Sequence, residues 1–231
     1  MKHEKLYSVL FIATAIPILF SSCTNFFSTS LASWARRDPS ALIPAVMAGN
    51  VNGLVEKAAN DPALSLALLK SIRDAVRGTF GTGRTVLQAA AVKAAVNAAA
   101  PASAVLNHID EDTEINSGNA ADLFNRIVSD IKNLPETAGA LKEALPAAAV
   151  PGDPEFDAFT GAADPYYLAM AAMVIFADDA VRSGNSAAYI SGYTFPGRSS
   201  LVEALVQAAQ DKGGDKLGIV GDLLDNLHLT S

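Results

Sequence analysis

The side chains best suited to bind a metal ion or to transfer a proton lie around His108. A short acidic run follows this histidine and contains Asp110, Glu111, Asp112 and Glu114. A histidine beside carboxylates could bind zinc or a harder cation. The run lacks the glycine and the ligand spacing of an EF-hand loop, and the chain has no His-Glu-x-x-His pair. A solvated acidic loop explains the pattern better, so we expect no metal and no cofactor.

The sequence contains few residues that could carry out nucleophilic catalysis. Beyond the N-terminal segment the chain has two histidines, His108 and His228, which are far apart in sequence, and it has no Gly-x-Ser-x-Gly motif. The glycine-containing residues 80–84 lack the Lys-Ser/Thr of a P-loop and are more typical of a turn between helices. Asp178 and Asp179 are neighbours, so we expect their carboxylates to point to different faces of a helix. The sequence therefore favours a protein that is not an enzyme.

Aromatic side chains are the best candidates for binding. They make up 7% of the chain but are clustered. With one nearby arginine, the candidate binding residues are Trp34, Tyr166, Tyr167, Tyr189, Tyr193, Phe195 and Arg198. Aromatic and arginine side chains commonly anchor ligand pockets and protein interfaces. The alternative is that the aromatic rings fill a core otherwise built from alanine, and that Trp34 docks the N-terminal segment.

The first 22 residues differ from the rest of the chain. A polar start with Lys2 and Lys5 is followed by an apolar run over residues 6–20, then by Ser21, Ser22 and Cys23. A basic start, an apolar run and small residues before a cleavage point are typical of a secretory signal peptide. The run is shorter than the roughly twenty residues of a transmembrane helix. We therefore expect residues 1–22 to be a signal peptide.

The segment Phe20-Ser21-Ser22-Cys23 resembles the lipobox of bacterial lipoproteins. Phe20 and Ser22 stand where the usual motif has leucine and glycine or alanine, which is the relaxed pattern of spirochaete lipoproteins. The resemblance implies acylation of Cys23 and cleavage directly before it. It also implies attachment to the inner or outer membrane of the cell envelope, with the domain facing the periplasm or the cell surface. Cys23 is the only cysteine, so no internal disulfide can form.

The charge of the chain excludes some partners. Its formal net charge is −7, and its lysines and arginines are scattered rather than clustered. Nucleic-acid binding needs clustered cations, so we expect no nucleic-acid partner. An acidic domain is also repelled by anionic lipid. We therefore expect membrane attachment through the acyl group on Cys23 and, for the domain itself, a protein partner.

The rest of the sequence predicts helices. Alanine is frequent, and Asp-Pro pairs at residues 38, 61, 153 and 164 place a capping acid before proline in a first turn. We predict helices over 39–48, 51–59, 62–77, 84–100, 101–108, 119–133, 134–145, 165–182, 199–210 and 215–227. Loops are predicted at 110–118, 146–152 and 185–198.

These elements predict an all-α fold of nine or ten helices, either an antiparallel helical bundle or stacked helical hairpins. We expect a lipidated N-terminus and tether at residues 23–37, and a single helical domain at 38–231. A Gly-Asn pair recurs at Gly49, Gly118 and Gly184. It could mark a helical repeat, or it could be ordinary chemistry for ending one helix and starting the next.

Two functions follow as expectations. The first is a membrane-anchored, non-enzymatic protein-binding or scaffold module, which predicts an exposed apolar and aromatic groove. The second is a periplasmic small-ligand binder or a transporter accessory subunit of helical-repeat type. It predicts an enclosed pocket lined by aromatic residues, together with Arg198 or an acid.

Overall fold

The computed structural model describes residues 38–109, 113–193 and 200–229. Four residues singled out by the sequence lie outside these ranges, namely Cys23, Trp34, Phe195 and Arg198. Most of the acidic run after His108, residues 110–112, lies outside them as well.

The described residues contain helices and no β-strand, which confirms the all-α class. Residues 38–42 belong to an N-terminal unit and include the 3-10 helix Pro39–Leu42; all other elements belong to the main body, which starts at Ile43. The α-helices are α1 Val51–Ala58, α2 Pro62–Arg77, α3 Gly81–Ala99, α4 Pro101–Leu106, α5 Ala120–Asp130, α6 Leu134–Ala144, α7 Pro154–Ala162, α8 Pro165–Arg182, α9 Ser186–Ser191, α10 Ser200–Gly213 and α11 Ile219–Asn226. A second 3-10 helix, Gly214–Leu217, joins α10 to α11.

Helices that follow an Asp-Pro pair start where the sequence predicts. The Asp61 carboxylate accepts hydrogen bonds of 3.0 Å from the backbone N–H groups of Ala63 and Leu64, at the start of α2. The Asp164 carboxylate accepts one of 2.9 Å from Tyr166 N–H, at the start of α8. These bonds satisfy donors that have no partner inside the helix. The predicted bounds of α2 and α8 are confirmed.

Several predicted helix bounds are wrong. Residues 39–48 form only the 3-10 turn, because Pro44 lacks a backbone N–H and disfavours helical backbone at Ile43. Helix α3 begins at Gly81 rather than at residue 84, since a φ of 58° at this glycine turns the chain directly into the helix. The predicted helix 215–227 is divided at Gly218, which also has a positive φ, of 51°.

Two helices were missing from the predicted ranges, although the Asp-Pro pair at residue 153 indicates the start of one of them. The loop predicted at 185–198 contains α9, whose first turn is capped by a 3.1 Å hydrogen bond from Ala188 N–H to the Asn185 carboxamide oxygen. Helix α7 follows Asp153, whose carboxylate accepts hydrogen bonds of 3.0 Å from Glu155 N–H and Phe156 N–H. Both are short helices, for which hydrophobic periodicity is a weak signal.

Two of the three Gly-Asn positions share one local structure. The Asn50 side chain accepts a 2.9 Å hydrogen bond from Met47 N–H and donates one of 2.9 Å to the Ala45 carbonyl. The Asn119 side chain likewise accepts a 2.9 Å hydrogen bond from Asn116 N–H and donates one of 2.8 Å to the Glu114 carbonyl. Asn185 is a conventional N-cap instead. All of these bonds are local, so they suit either interpretation of the Gly-Asn pattern, and the repeat stays a prediction.

Helix α8 forms the centre of the core. Every residue from 168 to 178 is buried, so this helix is covered on all sides. It packs most extensively against α10, and also against α3, α6 and α9. Alanines at 169, 171, 172, 177 and 180 let the neighbouring backbones approach closely. Within the described ranges, no single helix has the length and apolar composition of a membrane span; only α7 and α8 together pass that test, and they are bent by 115°.

Lys212 at the end of α10 holds the α7–α8 turn. Its ammonium group donates hydrogen bonds to the carbonyls of Thr160, Gly161 and Ala163, at 2.7, 3.0 and 2.6 Å. These carbonyls lie at the C-terminal end of α7, where a helix has no internal donors for them.

Replacing Lys212 by methionine is expected to lower the free energy of unfolding by about 1–2 kcal/mol, because a charge-assisted contact is lost. Urea titration followed by circular dichroism measures the effect. Lys216→Met is the matched control, because this lysine is exposed on the adjacent 3-10 helix. Equal stability of the two variants would show that the Lys212 contacts contribute nothing.

Candidate functional site

Two of the predicted binding residues lie in the core. Tyr189 and Tyr193 pack against Phe176 of α8, with ring centroids 5.7 and 5.1 Å away. Phe124 of α5 contacts the same ring at 5.3 Å. Tyr193 is only 2% exposed, and its hydroxyl donates a 2.6 Å hydrogen bond to a Glu203 carboxylate oxygen of α10. Tyr193 is thus placed as a core-filling side chain, while Tyr189 is half-buried beside it.

The other predicted tyrosines lie at the opposite end of α8. Tyr166 and Tyr167 make an edge-to-face contact, with ring centroids 5.9 Å apart. The Lys93 ammonium of α3 lies 5.5 Å from the centre of the Tyr167 ring, within the range of a cation–π contact. Burial raises the pKa of the Tyr166 hydroxyl above its ordinary value, and the neighbouring Tyr167 raises it further. Tyr166 therefore stays uncharged at physiological pH.

Tyr166 belongs to an exposed apolar groove between α4, the start of α8 and the start of α11. We call it the α4–α8 groove. Its principal lining residues are Val105, Leu106, Tyr166, Met170, Ile219 and Val220, and its volume is about 210 Å³. Its other described lining side chains are also apolar, so the Tyr166 hydroxyl is the only polar side-chain group among the described residues of the lining. Leu106 is 72% exposed, Ile219 43% and Tyr166 37%, which makes the groove a concentration of large apolar side chains open to solvent.

The sequence analysis singled out Tyr166 but missed Leu106 and Ile219. Leu106 is the last residue of the six-residue helix α4, and Ile219 is the first residue of α11. Periodicity identifies a buried face only over several turns of helix. No signal in the sequence could therefore have shown that these two side chains are exposed or that they lie close together.

The histidines take structural positions. His108 Nε2 lies 3.2 Å from a carboxylate oxygen of Asp130 on α5, and Asn107 donates a 3.2 Å hydrogen bond to the same oxygen. His228 is exposed, directly after the end of α11, with a φ of 55°. Among the residues that the structure describes, no cluster of three or more His, Cys, Asp or Glu side chains could hold a metal ion.

The paired carboxylates of α8 form an ion-pair network. Both contact the Lys142 ammonium of α6, Asp178 at 3.3 Å and Asp179 at 2.6 Å. Asp178 is also contacted by Arg182 Nε, at 2.9 and 2.8 Å to its two oxygens. One long lysine side chain reaches both carboxylates, although the Asp178 side chain is 2% exposed and the Asp179 side chain 23%. The expectation that this pair performs no acid–base catalysis stays a prediction. The arrangement ties α6 to α8.

A second surface depression lies beside α10. It is lined in part by Val150, Glu203 and Gln207 and has a volume of about 380 Å³. Its described lining includes an acid but no aromatic side chain, so it only partly matches the pocket expected of a small-ligand binder.

The chain was also compared with known proteins. No protein-family model, no curated protein and no solved structure matches it.

Proposed function

We propose that this protein is a lipoprotein of the bacterial cell envelope, anchored through an acylated Cys23, whose helical domain binds another protein and catalyses no reaction. The observation that carries the binding function is the α4–α8 groove. It combines apolar lining, three exposed large side chains and an open shape. Apolar anchors in such a depression are the usual centre of a protein interface.

The size and chemistry of the groove favour a protein over a small ligand. Small-molecule pockets are usually about 300–1,000 Å³ and contain a few polar groups that orient the ligand. The α4–α8 groove is smaller, at about 210 Å³, and offers one tyrosine hydroxyl. It suits one or two apolar side chains projecting from the face of a partner helix. None of the described lining residues is charged, which also suits an apolar partner face.

The anchor and the groove have complementary roles in this proposal. The N-terminal motif ending in Cys23 supports attachment of the chain to a membrane. Stable attachment needs more than one acyl chain, as in the multiply acylated cysteine of bacterial lipoproteins. The groove then recruits a partner to the membrane surface. Tethering raises the local concentration of a weak binder, so a small interface is sufficient.

Loss of the anchor is the first test. Cys23→Ala is expected to abolish incorporation of a radiolabelled fatty acid into the protein, because no acyl chain can then be attached. Labelling of growing cells followed by immunoprecipitation measures the incorporation. Cys23→Ala protein that still carries the label, or wild-type protein that never carries it, would contradict the proposed anchor.

The groove is tested by site-specific photo-crosslinking in intact cells. A benzophenone amino acid at position 106 is expected to give a discrete crosslinked protein, and Ile219→Glu in the same chain is expected to abolish it. Position 150 is the matched control, because Val150 is 57% exposed but lies outside the groove. Adducts that form equally at 106 and 150, or that survive Ile219→Glu, would contradict protein binding at the groove. A crosslink at position 150 that competes with an added small ligand would favour the alternative function.

A further inference from the structure

The turn between α2 and α3 carries an apolar side chain that the fold does not use. Phe80 is 80% exposed, the highest value of any large apolar residue that the structure describes. It occupies the N-cap position of α3, where serine, threonine, asparagine and aspartate are preferred, and it makes no capping hydrogen bond. Neither core packing nor helix capping therefore explains a phenylalanine at this position.

A second exposed apolar residue lies at the same end of the main body. Met47 is 61% exposed and comes just before α1. Gly83 lies in the first turn of α3. A Cβ atom added to this glycine would lie 3.8 Å from the Cβ of Ala48, the residue after Met47. It would also lie 3.0 Å from a methyl carbon of Thr79, the residue before Phe80. Phe80 and Met47 thus lie on neighbouring segments and are both exposed, and we call this pair the Phe80 tip.

The charges around the tip suit a neutral lipid surface. Residues 43–55 and 78–83 contain no charged side chain, although the chain as a whole carries a net charge of −7. Arg77 and Arg84 flank the turn, and each contacts a carboxylate, Glu143 at 2.8 Å and Glu155 at 3.4 Å. Because these carboxylates are paired with arginines, an uncharged apolar point on this charge-balanced base brings little net charge against zwitterionic lipid headgroups.

The course of the chain connects this end to the anchor. The main body begins at Ile43, so residues 24–42 separate it from Cys23, and Met47 lies four residues beyond its start. The tether is therefore joined to the main body four residues before Met47 of the Phe80 tip. A tethered surface meets the bilayer at a high effective concentration, so two apolar side chains can orient a domain that they could not hold by themselves.

We propose that the Phe80 tip inserts into the phospholipid bilayer and orients the anchored domain. This inference rests on the proposed lipid anchor. The inference also predicts which way the α4–α8 groove faces relative to the membrane. Helix α3 has 19 residues, which corresponds to a length of about 28 Å. The tip lies at its first turn, whereas the groove begins at Ala102, just after its last turn. Insertion of the tip therefore turns the groove away from the membrane.

Quenching of tryptophan fluorescence by lipid tests the insertion. Acylated protein that starts at Cys23, purified from membranes, is reconstituted in zwitterionic phosphatidylcholine vesicles whose acyl chains carry bromine. One variant combines Trp34→Phe with Phe80→Trp, and the matched control combines Trp34→Phe with Leu106→Trp. Leu106 is 72% exposed but belongs to the groove. We expect brominated lipid to quench position 80 at least twofold more than position 106. Circular dichroism confirms that both variants are folded.

The outcomes separate the two proposals. Protein that floats with the vesicles but shows equal quenching at the two positions, or none, overturns insertion of the tip and leaves the anchor intact. Wild-type protein that fails to float with the vesicles contradicts the lipid anchor. It then also contradicts the proposed orientation, which depends on that anchor. Preferential quenching at position 80 in floating protein supports both.

Discussion

Phe176→Ala is expected to lower the free energy of unfolding by about 3–5 kcal/mol, the range for deletion of a fully buried aromatic ring. The Phe176 side chain is fully buried in α8 and contacts the rings of Phe124, Tyr189 and Tyr193. These rings come from α5, from α9 and from the segment after it. The substitution leaves a cavity where three elements meet, and rigid helices can close such a cavity only in part.

Urea titration of purified protein, followed by circular dichroism, measures this loss. Phe80→Ala is the matched control, because it removes the same ring from a position that is 80% exposed. The control is expected to change stability by less than about 0.5 kcal/mol. A loss at Phe176 as small as at Phe80 would show that the aromatic cluster is loosely packed. It would also restore Tyr189 and Tyr193 as candidates for binding.

The second large effect on stability is expected when both cations that contact the buried carboxylate of Asp178 are removed. Lys142→Met combined with Arg182→Met leaves Asp178, which is 1% exposed, without the two side chains that contact it. A buried carboxylate that loses its partners costs about 3–5 kcal/mol. We expect the double variant to lose about that much stability, and each single variant less, because one cation remains.

Two further variants test the cause of that loss. Asp178→Leu in the double-variant background is expected to recover most of the stability, since no buried charge remains. Arg126→Met combined with Lys132→Met is the matched control, because both of these cations are exposed. Failure of Asp178→Leu to restore any stability would show that the loss came from packing of the long side chains rather than from the buried charge.

The sequence by itself determined the class of fold and the start of its best-defined helices. Asp61 and Asp164 cap α2 and α8 through atoms two or three residues away, so local chemistry alone sets where these helices begin. The sequence also provides the N-terminal motif around Cys23, and the anchor stays a prediction that rests on that motif. Bounds failed where a proline or a glycine with positive φ altered the backbone, as at Pro44 and Gly218.

Only the tertiary structure decided which aromatic residues form core and which form surface. Tyr193 and Tyr166 belong to the same set of candidates, yet one is 2% exposed and the other 37%. Their exposure depends on what packs against them, and the covering elements come from distant parts of the chain. The α4–α8 groove likewise joins residues near 105, 166 and 219. No local pattern encodes such a meeting, because it results from burying α8 on all sides and leaving the short helices at its end partly uncovered.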